Sequence, residues 1–547
     1  MASPNLPPGP GSFRPDYLVV GAGSAGCVLA ARLSEDPSNR VLLIEAGGHG
    51  RDPLLRVPLM TGLLLRGRRH VWRFATEAEA GLDGRNSAWP RGKVLGGSSA
   101  INGMVYMRGR PSDYDSWAQR GLAGWRWDDV LPLFRRSERF EHGASEYHGG
   151  DGPMPDTRSS AASPLLDAFV EAGVQAGFPR STDFGAPPFE GFGRYHFTIA
   201  NGERWSAARA FLSAQVRARP NLRIATGIEA LRVVLDGTRC IGVEVAQGGG
   251  TTSLLRPERE TILCAGAIGS PALLQHGGIG APELLEAAGI PVRHALPGVG
   301  RNLQDHLLVR VEHACTQPIT LHALARADRA VLALLQAMLL KTGPAASFPL
   351  AAGALIRSRP GLEEPDLQSH ILPALGTAMV RLPFATSRRS EGHGFMANVY
   401  SLRPDSRGEV AVASADPRQK PRIRANYLSA PADRERLREG VRILRRVFAQ
   451  PAFNPFRGAE LSPGPSITTD AELDAWIART ADTAFHPIGT CTMGADGDIQ
   501  AVLDEALRVR GIAGLRVADA SAMPLMPSGN THAPTMMIAE RCAELLL

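Results

Sequence analysis

The chain has 547 residues, of which 44% are hydrophobic and 21% are charged, with a formal net charge of +6. This length and apolar content allow a large core and at least two domains, and they argue against a disordered chain. Only three of the 60 basic residues are lysines and the arginines are scattered. The charge therefore does not indicate a nucleic-acid surface, although it leaves open a mild attraction to anionic membranes.

The cysteines and the N-terminus indicate a cytoplasmic protein. None of the six cysteines forms a CxxC pair and no zinc spacing is present, so we expect buried free thiols and no metal. Residues 1–12, predicted as a disordered leader, lack the apolar stretch of a signal peptide. The longest apolar stretch, residues 330–340, is shorter than the ~20 residues that span a bilayer. We interpret it as an internal helix; an interfacial patch in peripheral contact with the inner membrane is the alternative.

In chain order, the pattern first predicts a βαβ unit, with a strand at Tyr17–Val20, a helix at 25–33 and a strand at Val41–Glu45. Helices are predicted at 164–176 and at 207–217, the second capped by Ser206. Strands are predicted at 222–226, 230–235, 240–246 and 260–264. Further helices are predicted to start at Ser270 and after Asp470. The last helix is predicted at about 534–546. Residues 310–470 are mixed, with proline breaks.

This order predicts an interleaved architecture of the α/β class. We assign residues 13–160, 220–310 and 480–547 to a Rossmann-like nucleotide domain. Residues 161–219 and 311–479 are assigned to a substrate-binding domain. The nucleotide domain is thus expected to be assembled from the start, the middle and the end of the chain.

A glycine-rich turn follows the first predicted strand and opens the first predicted helix. Gly21, Gly23 and Gly26 form G-x-G-x-x-G, and Glu45 ends the next strand, 19 residues after Gly26. The glycines allow a tight turn and close approach to a pyrophosphate, and the acid is placed to bind a ribose hydroxyl. An acid here disfavours NADP, but the pattern does not separate NAD from FAD. The predicted site includes three neighbours: Ser24, Ala25 and Ala46.

Four further segments resemble the glucose–methanol–choline (GMC) oxidoreductase family. They are residues 91–109 (RGKVLGGSSAINGMVYMRG), 266–280 (GAIGSPALLQHGGIG), 298–306 (GVGRNLQDH) and the C-terminal DAS, PSGN and APTMMIAE stretches. The resemblance runs from Asp16 to the C-terminus. It implies FAD, oxidation of an alcohol, and a Rossmann-like FAD domain interleaved with an antiparallel-sheet substrate domain.

The resemblance also implies which residues bind FAD. The small residues of 91–109 would let the backbone lie against the flavin and pyrophosphate. From this loop we expect contacts by Arg91, Val94, Gly97, Ser98, Asn102, Gly103, Met104 and Val105. Relatives with covalent flavin carry a histidine in this loop; because none is present here, we predict non-covalent FAD. Elsewhere, the predicted contacts are Ala230 near the adenine, Asp519 and Ala520 near the ribityl chain, and Asn530, Thr531, His532 and Thr535 near the flavin.

Two histidines are the candidate catalytic residues. Alcohol oxidation needs a base for the hydroxyl proton while hydride passes to flavin N5, and histidine titrates in a suitable range. His486 and His532 lie in the two segments where the family keeps its catalytic pair. We assign His486 as the base and His532 as its partner, which would orient the substrate oxygen and could share the base role. His306, in LQDH, is expected to be structural and near the boundary between the domains.

The resemblance bears on the alcohol as well. Choline-specific relatives carry a glutamate where this chain has Ala351, so we expect a neutral primary alcohol and keep choline as the alternative. Apolar residues around Phe348, Leu355 and Ile371 would suit an aliphatic or aromatic chain. The electron acceptor (oxygen, a quinone or another carrier) and the oligomeric state are left open.

Three other functions are kept as alternatives. A fatty-acid photodecarboxylase exists in the same family but would lack the histidine pair. A non-catalytic flavin-binding protein need not keep both histidines. NAD-dependent chemistry would not call for the segments 91–109 and 266–280.

Overall fold

The computed structural model of the chain describes residues 13–248, 250–376 and 392–547; the predicted leader at 1–12 lies outside the described residues. Within these ranges a parallel sheet has the strand order Leu222–Thr226, Val41–Glu45, Tyr17–Val20, Glu260–Leu263 and Leu515–Val517. Its central strands are apolar and almost fully buried, as expected for a parallel sheet covered on both faces. The predicted βαβ unit is confirmed, with its helix at Ser24–Leu33.

The first and last helices of the described chain pack against each other beside this sheet. The guanidinium of Arg32, in Ser24–Leu33, forms an ion pair of 2.9 Å with the fully buried Glu540 of His532–Glu544. Arg136 forms a second ion pair with the same carboxylate at 2.7 Å. These two pairs hold the C-terminal helix, which carries His532, against the helices Ser24–Leu33 and Trp127–Ser137.

A second sheet is antiparallel. Across the described residues its strand order is Arg457–Ser462, Leu307–Cys315, Gly394–Ser401, Leu367–Leu372, Ala352–Ile356 and Gly191–Arg194, with Asp482–Thr483 also paired to Leu307–Cys315. The expected combination of a Rossmann-like parallel sheet with an antiparallel substrate sheet is therefore confirmed.

The two faces of the antiparallel sheet have different surroundings. One face is apolar and packs under the helix Pro431–Phe448, where a Cβ at Gly440 would lie 2.8 Å from Cγ2 of Val399. Ile371 lies on this covered face, because it pairs with Ala397 in the register that also places Val399 there. The expectation that Ile371 lines the substrate site is therefore wrong. The opposite face is polar and carries His370 and its neighbours.

The remaining elements connect and cover the two sheets. The further helices are Thr61–Arg66, Pro111–Gln119, Trp127–Ser137, Pro164–Gln175, Ala207–Phe211, Ala214–Arg217, Gly266–His276, Pro282–Ala287, Ala327–Leu340 and Asp470–Thr480. Short 3₁₀ turns are Pro53–Arg56, Pro58–Met60, Ala80–Leu82, Gly97–Ala100, Ala123–Trp125, Leu321–Ala325, Pro344–Ala346, Pro451–Phe453 and Ala520–Ala522.

Small sheets complete the described architecture. They pair Val71–Ala75 with Ala88–Gly92, Ile199–Ala200 with Glu203–Arg204, Ile279–Gly280 with His294–Ala295, and Glu409–Ala411 with Arg422–Arg424. Three-stranded sheets join Ile228–Asp236, Arg239–Gln247 and Thr251–Leu255, and also Glu138–Phe140, Met154–Arg158 and His196–Phe197.

Most of the predicted elements are present, with one correction. The single helix expected at 207–217 is two helices, Ala207–Phe211 and Ala214–Arg217. Ser206 caps the first as predicted, but Ser213 accepts a hydrogen bond from the backbone N–H of Val216 and starts the second. A serine at this position competes for the backbone and favours a new helix start.

The two large apolar cores agree with the predicted interleaved domains only in part. One large apolar cluster combines residues from the start, the middle and the end of the chain, and a second is built mainly from 165–199 and 303–481. Ala207 and Phe211, assigned to the substrate domain, pack in the first cluster, whereas Trp89 and Met104 pack in the second. The domain boundaries stay a prediction.

The apolar stretch 330–340 forms most of the helix Ala327–Leu340. Leu332, Leu335 and Leu339 are exposed on its outer face, so the interpretation as an internal helix is wrong for that face. None of the helices in the described part of the chain is long and apolar enough to cross a membrane.

Candidate active site

A cavity of about 350 Å³ opens at the carboxyl ends of the parallel strands and reaches the turn that carries His486. Ligands of open α/β sheets bind at this edge of the strands. All residues predicted to contact the cofactor line this cavity except Gly26 and Val94. A Cβ at Gly26 would lie 1.9 Å from the carbonyl oxygen of Gly21, so Gly26 allows helix and strand to pack. Val94 is buried in a small apolar cluster beside the loop.

The glycine turn leaves space and backbone donors at one end of the cavity. Gly21 has φ +99°, and a Cβ there would lie 2.6 Å from the carbonyl oxygen of Cys264. A Cβ at Gly97, which has φ +53°, would lie 2.6 Å from Cα of Gly23. Ser24–Leu33 begins at Gly23 without a side-chain cap. Its first N–H groups and the positive end of its dipole therefore favour a phosphate here.

Glu45 is held at the wall of this cavity by the backbone. Its carboxylate accepts hydrogen bonds from the N–H groups of Ala22, at 3.0 Å, and Gly47, at 2.8 Å. Burial raises the pKa of Glu45 to about 7, although these N–H groups act in the opposite direction. A fixed carboxyl group with spare lone pairs fits a ribose hydroxyl.

Asp519 lines the cavity but also joins two segments. One of its oxygens accepts from the N–H of Gly266 at 2.8 Å and from the hydroxyl of Ser270 at 2.6 Å. The other accepts from the N–H and the hydroxyl of Ser521. Burial raises the pKa of this carboxyl group. Its main visible role is to hold the turn at Gly266 against the C-terminal segment.

His486 lies at the other end of the cavity, in a hydrogen-bonded chain of side chains. Nδ1 of His486 is 2.9 Å from Nδ1 of His306, and Nε2 of His306 is 2.9 Å from the carbonyl oxygen of Leu402. Nε2 of His486 is 3.0 Å from Nδ2 of Asn530. His306 was expected to be structural; its Nδ1 contacts His486.

This chain of contacts determines the tautomer of His486. The carbonyl of Leu402 can only accept, so Nε2 of His306 carries a proton and donates it. Burial lowers the pKa of His306 to about 4, so the ring is neutral at neutral pH and its Nδ1 is an acceptor. Nδ1 of His486 therefore donates to His306. Nε2 of a neutral His486 is left with a lone pair that faces Asn530 and the cavity.

The turn that carries His486 is anchored by Asp305. The backbone N–H of His486 donates to Asp305 at 2.7 Å, and the hydroxyl of Thr483 donates to the same carboxylate at 2.6 Å. The Tyr427 hydroxyl is a third donor. Burial raises the pKa of Asp305 to about 6. Phe485, with φ 66°, makes the turn that brings His486 to the cavity.

The electrostatics keep His486 in its basic, uncharged form. Burial, and after it repulsion from His306 when that ring is protonated and from Arg91, hold the pKa of His486 well below its ordinary value. Nη1 of Arg91 donates to the carbonyl of Phe485 at 2.8 Å. Burial lowers the pKa of Arg91 to about 10, so it stays charged at neutral pH.

His532 does not contact His486 through a hydrogen bond in this structure. Its Nδ1 is 2.9 Å from the hydroxyl of Ser24, at the start of the first helix. Among the described residues, its buried Nε2 has no hydrogen-bond partner. Burial lowers the pKa of His532 to about 4. The residue that contacts Nε2 of His486 is Asn530, which the sequence predicted as a cofactor contact.

The polar face of the antiparallel sheet lies against this site. Nε2 of Gln368 is 3.3 Å from the hydroxyl of Tyr195, 3.4 Å from Nε2 of His370 and 3.4 Å from Oδ1 of Asn530. Within the described residues, Oε1 of Gln368 and the Tyr400 hydroxyl are buried without a hydrogen-bond partner. Nothing in the spacing of these residues identified them, because only strand pairing brings them together.

The cavity fits a flavin dinucleotide. It combines the glycine turn at the uncapped start of Ser24–Leu33, the fixed carboxyl group of Glu45 and the loop 91–109. It also contains Nε2 of His532, which has no hydrogen-bond partner among the described residues. Residues missed by the sequence reasoning also line it, including Trp72 and Phe74 on a hairpin and Arg418 and Lys420 from the substrate side. Their segments carry no nucleotide motif, so no sequence signal marked them.

Comparisons with known proteins agree with this site. The family model for the N-terminal region of GMC oxidoreductases matches residues 15–308, and the model for their C-terminal region matches residues 404–539. The oxygen-dependent choline dehydrogenase of Photobacterium profundum is 44% identical over 97% of this chain and 93% of its own length. The protein of the same name from Vibrio vulnificus is 44% identical over 97% and 94%. A crystal structure of pyridoxine 4-oxidase from Mesorbium loti has 35% identity and a TM-score of 0.86, covering 97% of this chain and 98% of that one.

Proposed function

We propose that this chain, which belongs to the GMC oxidoreductase family, oxidises a primary alcohol to the aldehyde with His486 as the base. The chain is an FAD-dependent oxidoreductase that acts on CH–OH groups. The proposal for His486 is supported chiefly by the hydrogen-bonded chain from Leu402 through His306, which leaves the lone pair of Nε2 facing the cavity.

The proposed proton transfer uses groups that the structure holds in place. The substrate hydroxyl donates to Nε2 of His486 and then loses its proton to that atom. The resulting imidazolium keeps its hydrogen bond from Nδ1 to His306. FAD, when bound, supplies the acceptor for the hydride of the carbinol carbon. Gly21, Glu45 and the loop 91–109 would hold the cofactor, and we propose that they do so without a covalent bond.

We assign the partner role to Asn530 in place of His532. The amide Nδ2 of Asn530 lies 3.0 Å from Nε2 of His486, so a substrate oxygen that lies beside both atoms could accept from Nδ2 while its hydroxyl donates to Nε2. His532 faces the same cavity from the side of Ser24 and is assigned to the cofactor. Its unpartnered Nε2 supports a ligand at that position.

We propose a neutral alcohol as the substrate. Ala351 precedes the strand Ala352–Ile356 and shares the polar face with Gly353 by alternation, so it supplies no charge for an ammonium group. Phe348 lies beside the flavin loop, 3.3 Å from where a Cβ of Gly103 would lie, and it suits an aliphatic or aromatic chain. The similarity to pyridoxine 4-oxidase favours an aromatic alcohol.

Choline is the second candidate. The relatives at 44% identity are named oxygen-dependent choline dehydrogenases, and their extent of similarity favours this substrate. Steady-state turnover of choline and of benzyl alcohol by the same preparation separates the two candidates. Choline turnover at or above that of benzyl alcohol would overturn the neutral-alcohol proposal.

The base is tested by His486→Ala. The variant is expected to bind FAD but to lose ~10²–10⁴-fold in the rate of flavin reduction under anaerobic alcohol. Reduction at the rate of the unchanged enzyme would reject His486 as the base. The same spectrum separates the alternatives: a photodecarboxylase or a non-catalytic flavoprotein would show flavin that the alcohol does not bleach.

The proposal also covers the cellular compartment and the electron acceptor. We propose a cytoplasmic protein, supported by the six cysteines, which are all described and all free thiols. We propose oxygen or a quinone as the electron acceptor, since the relatives are named oxygen-dependent. Reoxidation of the reduced enzyme by oxygen, measured against reoxidation by a soluble quinone, distinguishes the two acceptors.

A further inference from the structure

The helix Ala327–Leu340 exposes five large apolar side chains on its outer face, whereas Leu334 and Met338 are partly buried against the body of the protein. Leu332, Leu335 and Leu339 are 67%, 48% and 75% exposed. Their spacing of three and four residues places them in one stripe along the helix. Val331 and Leu340 are also exposed and extend this stripe. A surface helix ordinarily turns such residues inward, so the pattern is the reverse of the usual one.

The inner face of the helix is already packed against other apolar residues of the protein. It packs through Ala333 and Ala337, with Leu334 and Met338 partly buried beside them, in one cluster with Val57, Ala345 and Ala346. These alanines let the helix lie close to the body of the protein and leave the leucines no place to turn inward. The outer stripe is therefore available to a partner rather than left over from poor packing.

A further exposed apolar side chain lies on the short helix that follows this cluster in the chain. Leu59 and Met60 pack in the same cluster as the helix Ala327–Leu340, and Thr61–Arg66 begins directly after Met60. Leu63 on this short helix is 60% exposed. Exposed apolar side chains grouped along a helix mark an interaction site.

Exposed arginines accompany the apolar side chains. Arg66, Arg68 and Arg69 are exposed. Arg66 ends the helix Thr61–Arg66, whose six residues span only ~9 Å, and Arg68 and Arg69 follow it after one residue, so all three come shortly after Met60, which packs in the same cluster as the helix Ala327–Leu340. Arg329 is exposed on the helix itself. The acidic residue on this face, Asp328, is already paired with Arg326 at 2.8 Å.

We infer that the outer face of Ala327–Leu340, together with Leu63, docks on the surface of an anionic phospholipid bilayer. The leucines would insert at the level of the acyl chains while Arg66, Arg68, Arg69 and Arg329 meet the phosphates. Apolar side chains flanked by arginine are the pattern of an interfacial helix. This inference does not depend on the identity of the alcohol.

A second copy of the chain fits this surface less well. In a two-fold dimer the same patch meets itself, so both sides of the interface would carry the positive charge of these arginines. An anionic bilayer supplies both the apolar layer and the opposite charge. Leu65, on the same short helix as Leu63, lines the flavin cavity. Docking would therefore place the bilayer on the side of the molecule to which the cavity wall belongs.

The test is co-sedimentation of the FAD-loaded enzyme with lipid vesicles. We expect binding to vesicles of phosphatidylcholine mixed with phosphatidylglycerol, weak binding to phosphatidylcholine alone, and release by high salt. The triple variant Leu332→Ser, Leu335→Ser and Leu339→Ser is expected to bind at least ~10-fold more weakly. Replacing Arg66, Arg68 and Arg69 by glutamine should remove the preference for the anionic vesicles.

A matched control uses exposed apolar residues elsewhere. Ile499 and Leu461 are 79% and 49% exposed, and their serine variants should bind vesicles as the unchanged enzyme does. Flavin absorbance and the melting temperature check folding; if the triple variant fails them, the single change Leu332→Ser replaces it. Binding that ignores the triple change, or no binding to anionic vesicles at low salt, would overturn the inference. A dimer in solution that the triple change dissociates would assign the face to a second copy and also overturn it.

Discussion

The two ends of the cavity are built in different ways. At the proposed phosphate end, Gly21 and Glu45 come from one short stretch of chain, and backbone N–H groups and space for the ligand are the main contribution. At the proposed alcohol end, His486 meets His306, 180 residues away in sequence, and Asn530. A backbone site needs only local geometry, whereas a proton-transfer site needs several side chains with the correct tautomers.

Gly21→Ala is expected to have the largest effect. The new Cβ would lie 2.6 Å from the carbonyl oxygen of Cys264, in a residue with φ +99°. We expect protein that retains no FAD and has no detectable activity, measured as the ratio of flavin to protein absorbance. Gly237→Ala is the control, because Gly237 also has positive φ, +55°, but open space around it. Full FAD occupancy in Gly21→Ala would contradict the backbone account of this end.

Asn530→Ala and His532→Ala should separate the two ends. Removing Asn530 removes the donor beside Nε2 of His486, so we expect a loss of ~10²–10³-fold in kcat with FAD retained. Removing His532 should mainly weaken FAD binding, measured by flavin release on dilution. The reverse ranking, with His532→Ala the slower enzyme at full occupancy, would return the partner role to His532.

His306→Ala tests the hydrogen-bonded chain. Without its acceptor at Nδ1, His486 can adopt the other tautomer, and we expect kcat to fall roughly 10²-fold. His306→Asn keeps an acceptor oxygen near the position of Nδ1 and should recover part of the rate. The pH profile of kcat/KM is the decisive measurement: a purely structural role for His306 would lower the rate equally at every pH.

Ala351→Glu tests the substrate proposal. A carboxylate on the polar face of the sheet should raise kcat/KM for choline roughly tenfold, or about 1.4 kcal/mol. The control is Ala351→Gln, which has the same size without the charge. An equal change for choline in both variants would show that size, and not charge, controls this position.

The smallest expected effect is a change in how the free energy of unfolding depends on pH. The pKa of His532 is about 4 in the folded protein and ~6.5 in an unfolded chain. The unfolded state therefore binds more protons between these values, and the free energy of unfolding falls as the pH is lowered through this window. The contribution is fully present above the upper value. His532→Asn should remove on the order of 1 kcal/mol per pH unit of this dependence. Denaturant unfolding at pH 7 and near pH 5 measures it, and an unchanged slope would contradict a buried neutral imidazole.

The sequence predicted the backbone geometry of the proposed phosphate end, because the information for that geometry is local. The glycine turn, the following helix and Glu45 lie within one βαβ unit, and each requirement of a pyrophosphate is a residue type at a fixed spacing. The resemblance of residues 91–109 and of the C-terminal stretches then led to the family, to FAD and to alcohol oxidation, which the comparisons confirm.

The sequence also determined which residue types were available at the alcohol end, but not which of them meet. Asn530 and His532 are two positions apart, and only the fold shows that one faces His486 and the other faces Ser24. In the same way, the alternation of the Leu367–Leu372 strand places His370 toward the site and Ile371 away from it. Local patterns determine elements and turns; contacts between distant side chains depend on sheet register and domain packing, which only the tertiary structure decides.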